Sequence, residues 1–184
     1  MTIPAKQTLV LGLGNPLRGD DGLGPAVIRW MQSHGLPPGV TAIDGGTPGL
    51  DVILTLADYR CVYIVDAADL GRAPGEWARI APDLQRLAAD ARMLSSHSAG
   101  LADALALGAA LDVLPEQAII FGVQPARLEW SPGLSAEARK AVPEVGRAIL
   151  DELDNVRFGV PRRPRRGQRR RGRRLEPSDI VETN

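Results

Sequence analysis

The chain is poor in the residues on which most covalent catalysis relies. Its 184 residues include one cysteine, Cys61, and two histidines, His34 and His97. A lone cysteine excludes an internal disulfide, and the simplest expectation is a reducing, cytoplasmic setting. No apolar run reaches the roughly 18 residues of a membrane-spanning helix, so no membrane partner is expected. The opening MTIPAKQTLV has one lysine and passes straight into a strand pattern, so no signal peptide is expected. The G-x-S-x-G elbow of serine hydrolases is also missing. SSHS places serine next to histidine in sequence, which is not triad geometry. Cys61 opens an apolar stretch and reads as inert core. Without a side-chain nucleophile, hydrolysis would have to use an activated water.

Charge is balanced overall but unevenly placed. Residues 1–155 carry twelve Lys and Arg against nineteen Asp and Glu, a net charge of −7. Residues 156–174 hold ten arginines and no acid. The first block is read as one acidic domain, residues 1–155. The second, residues 156–184, is an Arg/Pro/Gly-rich tail without periodicity, expected to be disordered.

Within the domain, apolar patterning alternates between two periods. Thr8–Gly12, Cys61–Asp69 and Ala118–Val123 read as buried strands, and Val40–Asp44 as a second short strand. EWARIAP alternates like an edge strand. Gly22–Ser33, Leu50–Ala57 and Ala99–Leu111 read as helices, as does a stretch after Ser135, a candidate N-cap, with Pro143 expected to kink it. Strand–helix alternation of this kind predicts a three-layer α/β/α sandwich. Ligands in such folds bind beyond the carboxyl ends of the strands. Asp20 and Asp21, Asp44, and Asp66 all follow strands and should converge on that edge.

The stretch LVLGLGNPLRGDDGLG, Leu9–Gly24, poses a contradiction. A glycine turn between strand and helix suggests a phosphate site, yet Leu17 stands where the dinucleotide fingerprint needs its third glycine. Asp20 and Asp21 would also repel a pyrophosphate, so a cation is the expected guest. Asp20 is expected to support the start of the helix, worth about 0.5–2 kcal/mol if it caps. Asp66, at the end of an apolar strand, must be paired, hydrogen-bonded or metal-bound. His97 lies in a polar loop before the Ala/Leu-rich helix. Two carboxylates and an imidazole suit a first-row divalent ion. Asp44, in DGGTPG, either orients a water or peptide or simply forms an Asx turn. Gly45, Gly46 and Thr47 beside it are candidates for substrate contact, because glycine lets a backbone come close. Asp69 reads as a solvated turn residue and His34 as a helix C-terminal residue favoured by the dipole.

LGLGNP resembles the opening of peptidyl-tRNA hydrolases, but the likeness stops after six residues. The blocks GLGNPLRGDDGLG, DGGTPG, YIVDAAD, SSHSAGLADAL, FGVQP and GLS, in that order, resemble the hydrogenase maturation endopeptidases, over roughly Leu9 to Leu153. That resemblance implies a mixed five-stranded sheet, mostly parallel, with the EWARI strand antiparallel. It implies an endopeptidase that removes a C-terminal extension from the large-subunit precursor of a nickel–iron hydrogenase. It further implies that Asp21, Asp66 and His97 engage nickel, brought by that precursor. A monomer and no specific nucleic-acid partner are expected. A non-cleaving nickel-dependent maturation chaperone and a peptidyl-tRNA-hydrolase-like enzyme are the alternatives. The Arg-rich tail has no counterpart in the family pattern.

Overall fold

The computed structural model describes residues 6–82 and 99–157. His97 and the tail beyond Arg157 lie outside these residues. Five strands form one sheet: β1 (Lys6–Leu13), β2 (Val40–Gly46), β3 (Tyr59–Ala67), β4 (Trp77–Ile80) and β5 (Gln117–Val123), in the order β2-β1-β3-β5-β4. The first four in that order are parallel, and β4 pairs antiparallel with β5 at the edge. Among the described residues the helices are α1 (Leu23–His34), the short α2 (Val52–Leu56), α3 (Ala99–Ala110) and α4 (Ala136–Arg157).

Alternation along the strands divides the core in two. Val10, Tyr63, Val65, Ile119 and Phe121 face α1 and α4, packing with Val27, Ile28, Met31, Val145 and Ile149. Leu9, Leu11, Val62, Ile64 and Ile120 face α2 and α3, packing with Ile53, Leu56, Leu101 and Leu105. Each fully buried aliphatic side chain contributes about 1.5–3 kcal/mol relative to exposure. The sheet is thus covered on both faces, as the apolar runs demand.

The chain leaves β1 through α1 on one face and reaches β5 through α3 on the other. β1 and β3 are neighbours, so a switch point lies between their carboxyl ends, where folds of this class bind ligands. Two glycines close this corner. A Cβ on Gly24 would lie 2.6 Å from the Val65 carbonyl oxygen and 2.6 Å from the Leu13 amide nitrogen. One on Gly12 would lie 2.5 Å from the Gly24 carbonyl oxygen. The start of α1 therefore rests backbone to backbone on β1 and β3.

Two local features refine the sequence reading. The first helix is preceded by a separate 3-10 turn, Gly19–Gly22, which contains both aspartates. The last helix runs continuously from Ala136 to Arg157 with Pro143 inside it. Its apolar face, Ala138, Ala141, Val145, Ile149 and Leu153, is buried on the sheet, and this docking outweighs the one hydrogen bond that proline removes.

Candidate active site

The two adjacent aspartates have different surroundings. Asp20 is fully buried. Its Oδ2 accepts from the amides of Ala126 (2.8 Å) and Arg127 (3.4 Å) and from the Ser135 hydroxyl (2.9 Å). Its Oδ1 accepts from the Ser135 amide at 2.6 Å. It caps neither the 3-10 turn nor α1, contrary to the sequence expectation. Instead it fastens the turn after β1 to the loop between β5 and α4. Ser135 is the expected N-cap: its hydroxyl accepts from the Ala138 amide at 3.1 Å while donating to Asp20. The Asp20 carboxylate also sits at the N-terminus of α4, where the helix dipole favours negative charge.

Asp21 is only partly buried, and its carboxylate is only half used. Oδ2 accepts from the Asn15 amide at 2.8 Å, while Oδ1 has no hydrogen-bond partner among the described residues. Asn15 also folds the turn, its side-chain oxygen accepting from the Leu17 amide at 2.9 Å. Gly14 has φ of 121°, and a Cβ there would collide with the Asp21 carbonyl oxygen. The GNP segment therefore aims and holds Asp21.

Asp66 is 4% exposed, stands opposite Gly122 of β5 and follows Val65, the residue touched by Gly24. The 3-10 turn packs against β3, so Asp21 and Asp66 belong to adjacent segments at the switch point. By alternation Asp66 shares the face of Val62 and Ile64, which α2 and α3 cover. α3 begins at Ala99, two positions after His97. Among the described residues no three His, Cys, Asp or Glu side chains gather as a metal-binding set.

Asp44 is exposed at the end of β2. Its Oδ1 accepts from the Gly46 amide at 3.1 Å, an Asx turn, and its Oδ2 lies 3.9 Å from Arg29 Nη1. Gly45 faces Leu11 and Leu13 closely, whereas Gly46 has φ of 60° and open space where a side chain would be. The Gly46 carbonyl accepts from the Gly14 amide at 2.8 Å, which ties DGGTPG to the Asp21 turn. Thr47 is exposed beside it.

Gln124 is a residue that the sequence singled out only as part of FGVQP. Its Oε1 accepts from the amides of Leu70 (2.7 Å) and Arg72 (3.3 Å), fixing the turn after Asp66. Asp69 in that turn is exposed and bonds the Gly71 amide at 3.2 Å. His34 closes α1 as expected, its Nδ1 at 2.8 Å from the Trp30 carbonyl and its ring stacked on that indole.

A second depression lies at the opposite edge of the sheet, lined by Thr8, Arg60, Cys61, Glu116 and Gln117. Arg60 and Glu116 form a two-pronged pair there at 2.7 and 2.8 Å. The pair raises the guanidinium pKa and lowers that of the carboxyl. Burial, and then the charge of Glu152, push the Cys61 thiol above its ordinary range. Both effects oppose nucleophilic use of this cysteine.

Comparison with known proteins leads in one direction. A family model described as hydrogenase maturation protease (HycI) matches residues 25–152. The chain is 34% identical to the hydrogenase expression/formation protein HupM of Azotobacter chroococcum mcd 1, over 98% of this chain and 85% of that protein. Its structure is similar to the hydrogenase maturating endopeptidase HybD from E. coli, with a TM-score of 0.72 and 27% identity, covering 82% of this chain and 93% of that one. It is also similar to the hydrogenase 2 maturation peptidase from Thaumarchaeota archaeon SCGC_AB-539-E09, with a TM-score of 0.64 and 35% identity, covering 80% and 98%.

Proposed function

The chain belongs to the hydrogenase maturation protease family, and from that premise we propose that it removes the C-terminal extension of a nickel–iron hydrogenase large-subunit precursor already loaded with nickel. The observation that carries the reading is the contrast between the paired aspartates. The Asp20 carboxylate makes four hydrogen bonds within the chain, while Asp21 keeps an oxygen without a partner among the described residues. Asp21 is therefore the acid available to a guest, and Asp20 the one that holds the turn.

In this reading nickel arrives as part of the substrate. Asp21 and Asp66 meet it from the ends of neighbouring elements, and His97, just ahead of α3, supplies the nitrogen donor. Two carboxylates and one imidazole form a suitable set for a first-row divalent ion. The acidic body, net −7 over residues 1–155, favours approach of a cationic centre. Gly46, with open space at its α-carbon, lets the precursor backbone lie against the Asp44 turn. Asp44 holds that turn through its bond to the Gly46 amide and orients the peptide or a water with its remaining capacity. The enzyme works as a monomer in the cytoplasm, and water, not a side chain, attacks the peptide bond.

The test is incubation of the chain with nickel-loaded and nickel-free precursor, followed by measurement of the precursor's C-terminal mass. Loss of the extension from the loaded form alone is expected, and His97→Ala should abolish it. Equal cutting of the nickel-free form would overturn nickel recognition. Stable binding of the loaded form with no change of mass would show a chaperone in place of a protease.

A further inference from the structure

Two side chains stand out against the charged surface beside the switch point. Trp130 is 74% exposed and Leu17 55%. Between them lies Arg18, its guanidinium carbon 5.6 Å from the centroid of the Trp130 ring. Arg18 forms no ion pair among the described residues.

Single exposed apolar residues are ordinary. These differ in how firmly they are held. The loops that carry them are joined by a backbone bridge between Arg18 and Ser131, and by bonds from the Gly19 amide to the Ser131 carbonyl (2.9 Å) and the Asp20 amide to the Arg127 carbonyl (3.0 Å). The buried Asp20 carboxylate adds four more. An exposed indole on so rigid a base loses little freedom on contact, which is what makes aromatic and arginine side chains effective anchors.

We propose that Leu17, Arg18 and Trp130 form the docking surface for the precursor polypeptide that flanks its nickel centre, seating an apolar side chain on the indole and leucine and a carboxylate on Arg18. This rests on the processing function proposed above and specifies how the substrate is held. Continuity identifies the occupant: the Asp21 amide donates to the Arg18 carbonyl at 3.1 Å, so Asp21 and the platform belong to one turn. A polypeptide whose metal reaches Asp21 passes over Arg18. Charge points the same way, because a cation with no ion pair among the described residues, on an acidic body, is the place to receive an acidic group. The other strongly exposed leucines, Leu50, Leu54 and Leu111, lie in or next to α2 and α3, away from this turn.

Steady-state processing of nickel-loaded precursor, read by C-terminal mass, tests the platform. Trp130→Ala and Arg18→Ala should each raise KM about ten-fold, with kcat within about two-fold, since an anchor truncation removes ground-state and transition-state binding alike. Leu54→Ser, at a residue 74% exposed on α2, should leave both constants unchanged. Thermal unfolding of Trp130→Ala at the wild-type temperature would confirm that the fold is intact. An unchanged KM in Trp130→Ala, or an equal rise in Leu54→Ser, overturns the platform while leaving the processing function in place. If the wild-type chain binds loaded precursor without cutting it, the processing function fails instead. The platform is then decided by the Kd of the same variants, with unchanged affinity for Trp130→Ala overturning it.

Discussion

The carboxylate of Asp20 bonds both the amide (2.6 Å) and the hydroxyl (2.9 Å) of Ser135, a residue 115 positions further along the chain. Through this pair the turn after the first strand and the cap of the last helix become one unit. The neighbouring Asp21 takes its position from that unit.

Replacement of Asp20 should therefore be severe. In Asp20→Asn, either orientation of the amide presents an N–H2 group to backbone N–H donors. Unsatisfied buried donors cost about 1–3 kcal/mol each, so a loss of about 3 kcal/mol is expected. Denaturant unfolding measures it. A loss below about 1 kcal/mol would show that the loop finds other partners.

Asp21→Asn and Asp66→Asn should abolish processing for a different reason. Each removes a charge from the proposed nickel set. Asp21, partly exposed and with only one bond, should lose almost no stability, so its melting temperature should stay near wild type. Full processing by Asp21→Asn would assign the role to another acid.

Gly24→Ala tests the backbone contact at the switch point. Its added methyl meets the Val65 carbonyl and the Leu13 backbone, neither of which can swing aside. Overpacking of this kind costs typically about 1–3 kcal/mol. Pushing α1 away from β3 also separates Asp21 from Asp66, so processing should fall together with stability. Wild-type behaviour in both assays would show that the helix tolerates the shift.

The thiol of Cys61 should be unreactive. Burial and the charge of Glu152 hold it protonated at pH values where a free thiol begins to ionise, and only the thiolate is alkylated. Iodoacetamide at pH 8 should therefore label the folded chain far more slowly than the denatured one. Equal rates would place the sulfur in solvent.

What could be read from the sequence was what is encoded locally. The apolar runs marked four of the strands, and β3 and β5 show why, because a strand buried on both faces needs apolar side chains at nearly every position. EWARI showed alternation and became the antiparallel edge. Ser135 was legible as a cap because capping acts within three residues. The role of Asp20 was not legible. Its partners lie 106, 107 and 115 positions away, and no local pattern carries such a pairing. Asp20 thus resembled a helix-start residue, which adjacent acids often are. Pro143 lies inside a continuous helix, because docking of the whole apolar face outweighs a local breaker. The Asx turn at Asp44 was one of two readings left open, and its bond to Gly46 now gives that reading a geometry.

The stitch from Asp20 to Ser135 also bears on the order of events during synthesis. A growing chain emerges from its N-terminus at about 5–20 residues per second. The GDDG turn leaves the ribosome early, but the amides and hydroxyl that receive the Asp20 carboxylate come from Ala126, Arg127 and Ser135. Until those have emerged, both aspartates stay in water on a loose turn, and Asp21 has no fixed direction. The turn that positions Asp21 is therefore unorganised for most of translation, and acquires its geometry only as the last helix begins to form.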